Sequence, residues 1–180
     1  DYDLLKKNRP KIAKMLLGSG GDASSNLEFG KLVAAAVVQG DLGAVRKYLA
    51  EGANLNQAIG EDGSTPLQIA AVFDRSEIAL FLINEGADIE VKQDDGSTAL
   101  HVASFFGRVE VVKALLAKGA DKTVRTNEGN TALEGVAGSF EEIRPVYEFL
   151  EGLLAPAGLK IDYDLLQKNR LKIAAMLRAE

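Results

Sequence analysis

Cysteine and tryptophan are absent from this 180-residue chain, histidine occurs once and proline four times. Without cysteine there is no disulfide, no thiolate nucleophile and no thiolate metal ligand. With His101 as the single histidine, no zinc set can be assembled from imidazoles either. No apolar run approaches the ~20 residues of a membrane-spanning helix, and no secretory leader opens the chain. A Gly-x-Ser-x-Gly nucleophile elbow and an Asn-x-Ser/Thr acceptor are both missing. The run Gly18-Ser19-Gly20-Gly21 lacks the Lys-Ser/Thr that a phosphate loop requires. Glu61-Asp62-Gly63 and Asp94-Asp95-Gly96 lack the ligand spacing of a calcium loop and read as turns. The expectation is a non-enzyme with no cofactor, no metal and no membrane segment. A cysteine-free fold that relies on packing alone fits a cytoplasmic setting.

What is present is periodic. With 47% hydrophobic and 26% charged residues the chain can bury a continuous core. Starting at Gly63, Gly96 and Gly129, three stretches read GSTPLQIAA, GSTALHVAS and GNTALEGVA, at equal steps along the chain. A fixed period of about 33 residues marks stacked supersecondary units that cannot bury their apolar faces singly. After each start comes a short apolar helix, then a polar corner (Asp74-Arg75-Ser76-Glu77-Ile78, Gly107-Arg108-Val109-Glu110-Val111) and a second apolar helix. The units close at Gly52-Ala53-Asn54, Gly86-Ala87-Asp88 and Gly119-Ala120-Asp121.

Over about residues 27–152 these motifs resemble the ankyrin repeat, which implies an all-α repeat solenoid: an ankyrin-like stack of helix-turn-helix units with β-turn fingers. Thr65, Pro66, Leu67 and their equivalents then build turns and helix starts. The resemblance also gives His101 a structural part, bridging backbone groups of neighbouring turns. The first unit is degenerate, with Lys31-Leu32-Val33 at the Thr-Pro-Leu position and a finger over 53–63 one residue longer than that over 87–96. In the fourth the corner 138–145 is about two residues too long, so the second helix is expected to start at Pro145 and run through Val146, Tyr147, Phe149 and Leu150.

Both ends carry one further element. Residues 1–16 read DYDLLKKNRPKIAKML and residues 162–177 read DYDLLQKNRLKIAAML, differing only at Lys6/Gln167, Pro10/Leu171 and Lys14/Ala175. Leu4, Leu5, Ile12, Met15 and Leu16 recur at helical spacing, and Leu165, Leu166, Ile173 and Met176 reproduce the stripe. Pro10 is expected to break the first copy into two turns of helix. The domain plan is therefore 1–17 as the N-terminal copy, 18–26 as a flexible linker by composition, 27–158 as four repeats, and 159–180 as a C-terminal cap covering Phe149, Leu153 and Leu154. Two origins account for the duplication, and the missing initiator Met fits either: excision from a longer protein of tandem modules, or an engineered copy of the terminal helix attached through a Gly-Ser linker, toward which the run Gly18-Ser19-Gly20-Gly21 leans. The first copy would lie against the first repeat near Leu27, Phe29 and Leu32, or dock onto a neighbouring molecule.

Charge divides the parts. Five Lys/Arg against two Asp give residues 1–17 a charge of +3, residues 162–180 carry +1, and the total of −5 leaves −9 on residues 18–161. An acidic body argues against nucleic acid, which needs a positive field along the phosphates. The resemblance implies that partners meet the concave face at positions flanking the turn glycines and at the ends of the first helices. These are Glu61, Asp62, Ser64, Val72 and Phe73, then Asp94, Asp95, Ser97, Phe105 and Phe106, and then Asn127, Glu128, Asn130 and Ser139. Read as exposed, Phe73, Phe105 and Phe106 make an apolar centre with a carboxylate rim; read as turned inward, they fill the layer between helices. The expected function is a protein-binding scaffold for a basic or mixed basic-apolar partner. The alternatives are an assembly module that self-associates through Leu4, Leu5, Ile12, Met15, Leu165, Leu166, Ile173 and Met176, and a regulatory appendage of an enzyme elsewhere in a longer chain.

Overall fold

The structure, a computed structural model, describes residues 23–60 and 62–179, with side chains in the first helix from Phe29 onward. Glu61 and residues 1–22, with the expectations for Leu4, Leu5, Ile12 and Met15, lie outside the described residues. Among the described residues there are nine α-helices and no strand, as the repeat pattern requires. Helix α1 (Ala23–Gln39) is long because Lys31-Leu32-Val33 offers neither a Thr cap nor a proline to start a helix there, so the helix continues through it. The linker expected over 18–26 is accordingly shorter at its end, since 23–26 already belong to α1. Phe29, Val33, Ala36 and Val37 recur at helical spacing as its buried face, against α2 (Leu42–Ala50).

The next units each pair a short inner helix with an outer one: α3 (Pro66–Val72) with α4 (Ser76–Asn84), and α5 (Ala99–Phe105) with α6 (Val109–Ala117). The fourth inner helix is α7 (Ala132–Ala137), followed by α8 (Phe140–Leu154), a 3-10 turn (Ala155–Ala157) and α9 (Tyr163–Arg178). Inner helix packs on inner helix through α1, α3, α5 and α7, and outer on outer through α2, α4 and α6. Leu67, Leu82, Leu100 and Leu115 are closed off from water along one core. Burying such a side chain contributes about 1.5–3 kcal/mol.

The fourth unit departs from expectation. Its corner does not hold a helix starting at Pro145; α8 begins at Phe140, with Glu141 and Glu142 in a first turn whose partial positive charge favours them, and Pro145 lies inside it. A proline there costs the bond its N–H would give to the Glu141 carbonyl. It is α9, not α8, that packs along α7 and against α6. Leu166, Ile173, Ala174 and Leu177 are buried in that contact, while Leu165 stays 51% exposed. Phe149 and Leu153, expected beneath the cap, are 68% and 62% exposed, because α9 covers α7 rather than α8.

Candidate functional site

Each finger is fixed to the next by its backbone. The Asp94 N–H donates to the Asp62 carbonyl at 3.0 Å, and the Asn127 N–H to the Asp95 carbonyl at 2.8 Å. Gly63 and Gly96 turn at φ +76° and +82°, where a Cβ would stand 2.8 Å from the Asp94 and Asn127 Oδ1 atoms. Ser64 and Ser97 were expected to face a partner; both are buried, and both bond to the carboxylate two residues earlier, Asp62 and Asp95. They build the turn. Asp62, Asp94, Asp95, Asn127, Glu128 and Asn130 remain exposed along the tips, and Ser139 is exposed at the start of α8.

Inside the fingers one position is used three times. Gln68, His101 and Glu134, each one repeat after the last, accept the N–H of the threonine that starts the inner helix, at 2.8, 3.2 and 2.7 Å. Gln68 also donates to the Val91 and Ser97 carbonyls of the next finger, and His101 Nε2 meets the Asn130 carbonyl at 3.2 Å. Since Nδ1 must accept from Thr98, the hydrogen-bond network assigns the proton to Nε2. Burial holds the imidazole below its ordinary value, against the pull of the Asn130 and Val124 carbonyls and Asp95. Glu134 has no following finger to reach and bonds Arg125 instead at 2.8 Å.

The three aromatics do not form one open centre. Val72 and Phe73 are half-buried against the core. Phe105, whose orientation the sequence leaves open, is half-buried and stacks on Tyr147 of α8 at 4.5 Å between ring centroids, with Phe106 edge-on to it at 5.2 Å. Phe106 lines a pocket of about 100 Å³ between the third corner and α9, together with Arg108, Leu165 and Leu166. The open apolar surface lies instead on α8, where Val146, Phe149 and Leu153 share one exposed face.

The outer-helix arginines explain why α9 belongs to the fourth unit. Arg75 donates twice to the Val38 carbonyl at 2.9 and 2.7 Å, and Arg108 donates to Ala71 and Val72 at 2.8 and 2.9 Å, each reaching the end of the preceding inner helix. Three residues after each arginine the buried face begins: Ile78, Ala79 and Leu82, then Val111, Val112 and Leu115. The same register recurs in α9 as Arg170, Ile173, Ala174 and Leu177. Sequence reading passed over it because Arg75 and Arg108 stand at one short, constant step after Gly63 and Gly96, whereas a whole extra helix separates Arg170 from Gly129. The intervening insertion supplies a link of its own. Arg170, 3% exposed, donates to the Gly135 carbonyl at 3.3 Å and to the Tyr147 hydroxyl at 2.8 Å, and that hydroxyl donates to the Phe105 carbonyl at 2.6 Å. Burial raises the Tyr147 phenol above its ordinary value, so it stays protonated. The return to α9 is locked by Glu151, which accepts from the Ile161 N–H and the Tyr163 hydroxyl at 2.9 and 2.7 Å. Burial, then Glu151, push the Tyr163 phenol up to about 12.

The family model for ankyrin repeats (3 copies) matches residues 4–93, 32–126 and 81–163. The chain belongs to the ankyrin-repeat family. No curated protein sequence matches it as a relative. Ankyrin repeats generally mediate protein–protein interaction, which fits a surface of fixed fingers. Among the described residues no group of acidic and imidazole side chains could hold a metal ion, and no helix is long and apolar enough to cross a membrane.

Proposed function

We propose that this ankyrin domain is a non-enzymatic protein-binding scaffold whose fingers receive a basic or mixed basic-apolar segment, in a cytoplasmic setting and without nucleic acid. The supporting observation is the row of exposed carboxylates at Asp62, Asp94, Asp95 and Glu128, none of them within ion-pair distance of a cation among the described residues. Backbone bonds from tip to tip hold the row in place before a partner arrives, which reduces the ordering cost of binding. The charge of −9 on residues 18–161 adds a long-range pull on a cationic partner. Apolar contact is assigned to Val146, Phe149 and Leu153 of α8, since Tyr147 occupies Phe105.

An array of amphipathic Lys/Arg-rich peptides tests this, read by calorimetry at low and physiological salt. Binding should weaken with salt and fall about tenfold or more in Asp94→Lys/Glu128→Lys, as expected for like charges brought together. Equal affinity in the variant would remove the finger row from the reading. A second reading, self-association through the duplicated helix, is favoured by one observation: every α9 residue buried in the structure recurs in residues 1–16.

A further inference from the structure

We propose that the exposed face of α8 is a docking site for an amphipathic helix of a protein partner, one that carries Lys or Arg along one edge of its apolar stripe. This rests on the reading of a basic-apolar partner and adds to it the form of the apolar part and its place. Val146, Phe149 and Leu153 follow one another at three and four residues, the spacing of a seam between two packed helices. They are 42%, 68% and 62% exposed, while the opposite face of α8 supplies one fully buried side chain, Tyr147. Among the described residues, no large apolar side chain of α1 to α7 is left so open. An apolar stripe kept in water adds nothing to folding and serves association.

Gly152 points the same way. It lies inside α8, where glycine weakens a helix relative to alanine. Nothing among the described residues calls for it: a Cβ there would meet no atom within 4 Å, and its φ is not positive. Gly152 and Pro145, seven residues apart, are exposed along one border of the stripe, so no long side chain stands on that side. The backbone of an incoming helix can therefore come close, which is what a glycine at a helix contact permits.

Charge selects the occupant. Glu142 continues the line of Val146 and Phe149 toward the start of α8, and Glu141 and Glu148 run along the edge beyond Pro145 and Gly152. All three acids are exposed. Arg144 holds Glu148 at 3.0 Å, but neither Glu141 nor Glu142 is within ion-pair distance of a cation among the described residues. Lysines or arginines on the matching edge of a partner helix meet these acids across the two small residues. A second copy of the chain fits worse, because a two-fold axis that pairs the stripes antiparallel lays Glu141 and Glu148 of both copies along the same edge. From Pro145 to Leu153 the stripe is about 12 Å long, about two turns of helix, which suits a weak and reversible contact.

The test uses the full chain and a fluorescent synthetic peptide of about 18 residues, long enough to hold a helix when bound. Its leucines lie on one helical face and its lysines along one edge; a control of the same composition scatters the leucines around the helix. By fluorescence anisotropy the peptide should bind the parent about tenfold more tightly than the control does. Phe149→Ser/Leu153→Ser and Gly152→Gln should each weaken it about tenfold or more. Gly152→Gln should melt no lower than the parent, since glutamine is the better helix former, so this arm decides even where the serine pair disturbs α8. Glu141→Gln/Glu142→Gln should weaken the peptide about threefold and flatten its salt dependence. A control that binds as tightly as the peptide, or α8 variants that bind like the parent, overturn the proposal. Where Asp94→Lys/Glu128→Lys weakens the peptide and the α8 variants do not, the α8 site falls and the finger reading stands; where neither set weakens it, both fall. A parent mass that grows with concentration in sedimentation, and returns to monomer in Phe149→Ser/Leu153→Ser, overturns the partner helix in favour of a second copy.

Discussion

Gln68, His101 and Glu134 show one position solved by three chemistries. Each must accept the N–H of its threonine, and two of the three must also donate across to the next finger. A neutral imidazole does both; a protonated one would turn its Nδ1 donor against the Thr98 N–H. Burial holds His101 below its ordinary value of 6.5 in the folded chain, so the unfolded chain binds more protons as pH falls. Stability from this residue is complete above about 6.5 and is lost as pH drops below it. The melting temperature should fall from pH 7.5 to 5, and His101→Gln, which copies Gln68, should remove part of that slope; an unchanged slope would clear His101 of it. Tyr147 carries the other residue-level prediction. Tyr147→Phe leaves the Phe105 carbonyl without its donor and takes a partner from buried Arg170. A loss of about 1–3 kcal/mol is expected by denaturant titration, and a variant as stable as the parent would show water replacing the hydroxyl.

At the scale of the element, α8 and α9 exchange the parts that their order in the chain suggests. The helix next in sequence is the insertion, and the helix that looks appended completes the fourth unit. Ile173→Ala should thus cost about 2–5 kcal/mol, the loss typical of a closed core position. Phe149→Ala and Leu153→Ala should each stay within about 0.5 kcal/mol, since both side chains are mostly in water already. Phe105→Ala should destabilise, because its ring is the platform for Tyr147. Deleting residues 159–180 strips α7 and α6 of their cover, so lower stability and aggregation are expected. A truncated chain that melts like the full one would detach α9 from the fourth unit.

Over the whole molecule, the carboxylates along the finger tips repel one another across a stack that otherwise packs apolar on apolar. Added salt shortens the range of that repulsion, so the melting temperature should rise between low and about 0.5 M sodium chloride; a flat or falling curve would mean the row is already neutralised. How much of this was legible follows from how local each signal is. The period, the threonine starts, the turn glycines and the exposed finger carboxylates depend on contacts nearby in the chain or on like neighbours one repeat away, and the sequence determined them by itself. The first helix could be seen to be irregular from Lys31-Leu32-Val33, though not how far it would extend. Phe105 could not be oriented from its own surroundings, because its cover is Tyr147, far downstream on α8. Nor could the fourth outer helix be placed by counting, since Arg170 arrives only after the whole of α8 instead of at the corner that follows α7. Only packing decides between α8 and α9 for the place on α7: both are amphipathic and both are long enough, but α9 alone carries a buried face in the register that α6 and α7 leave open.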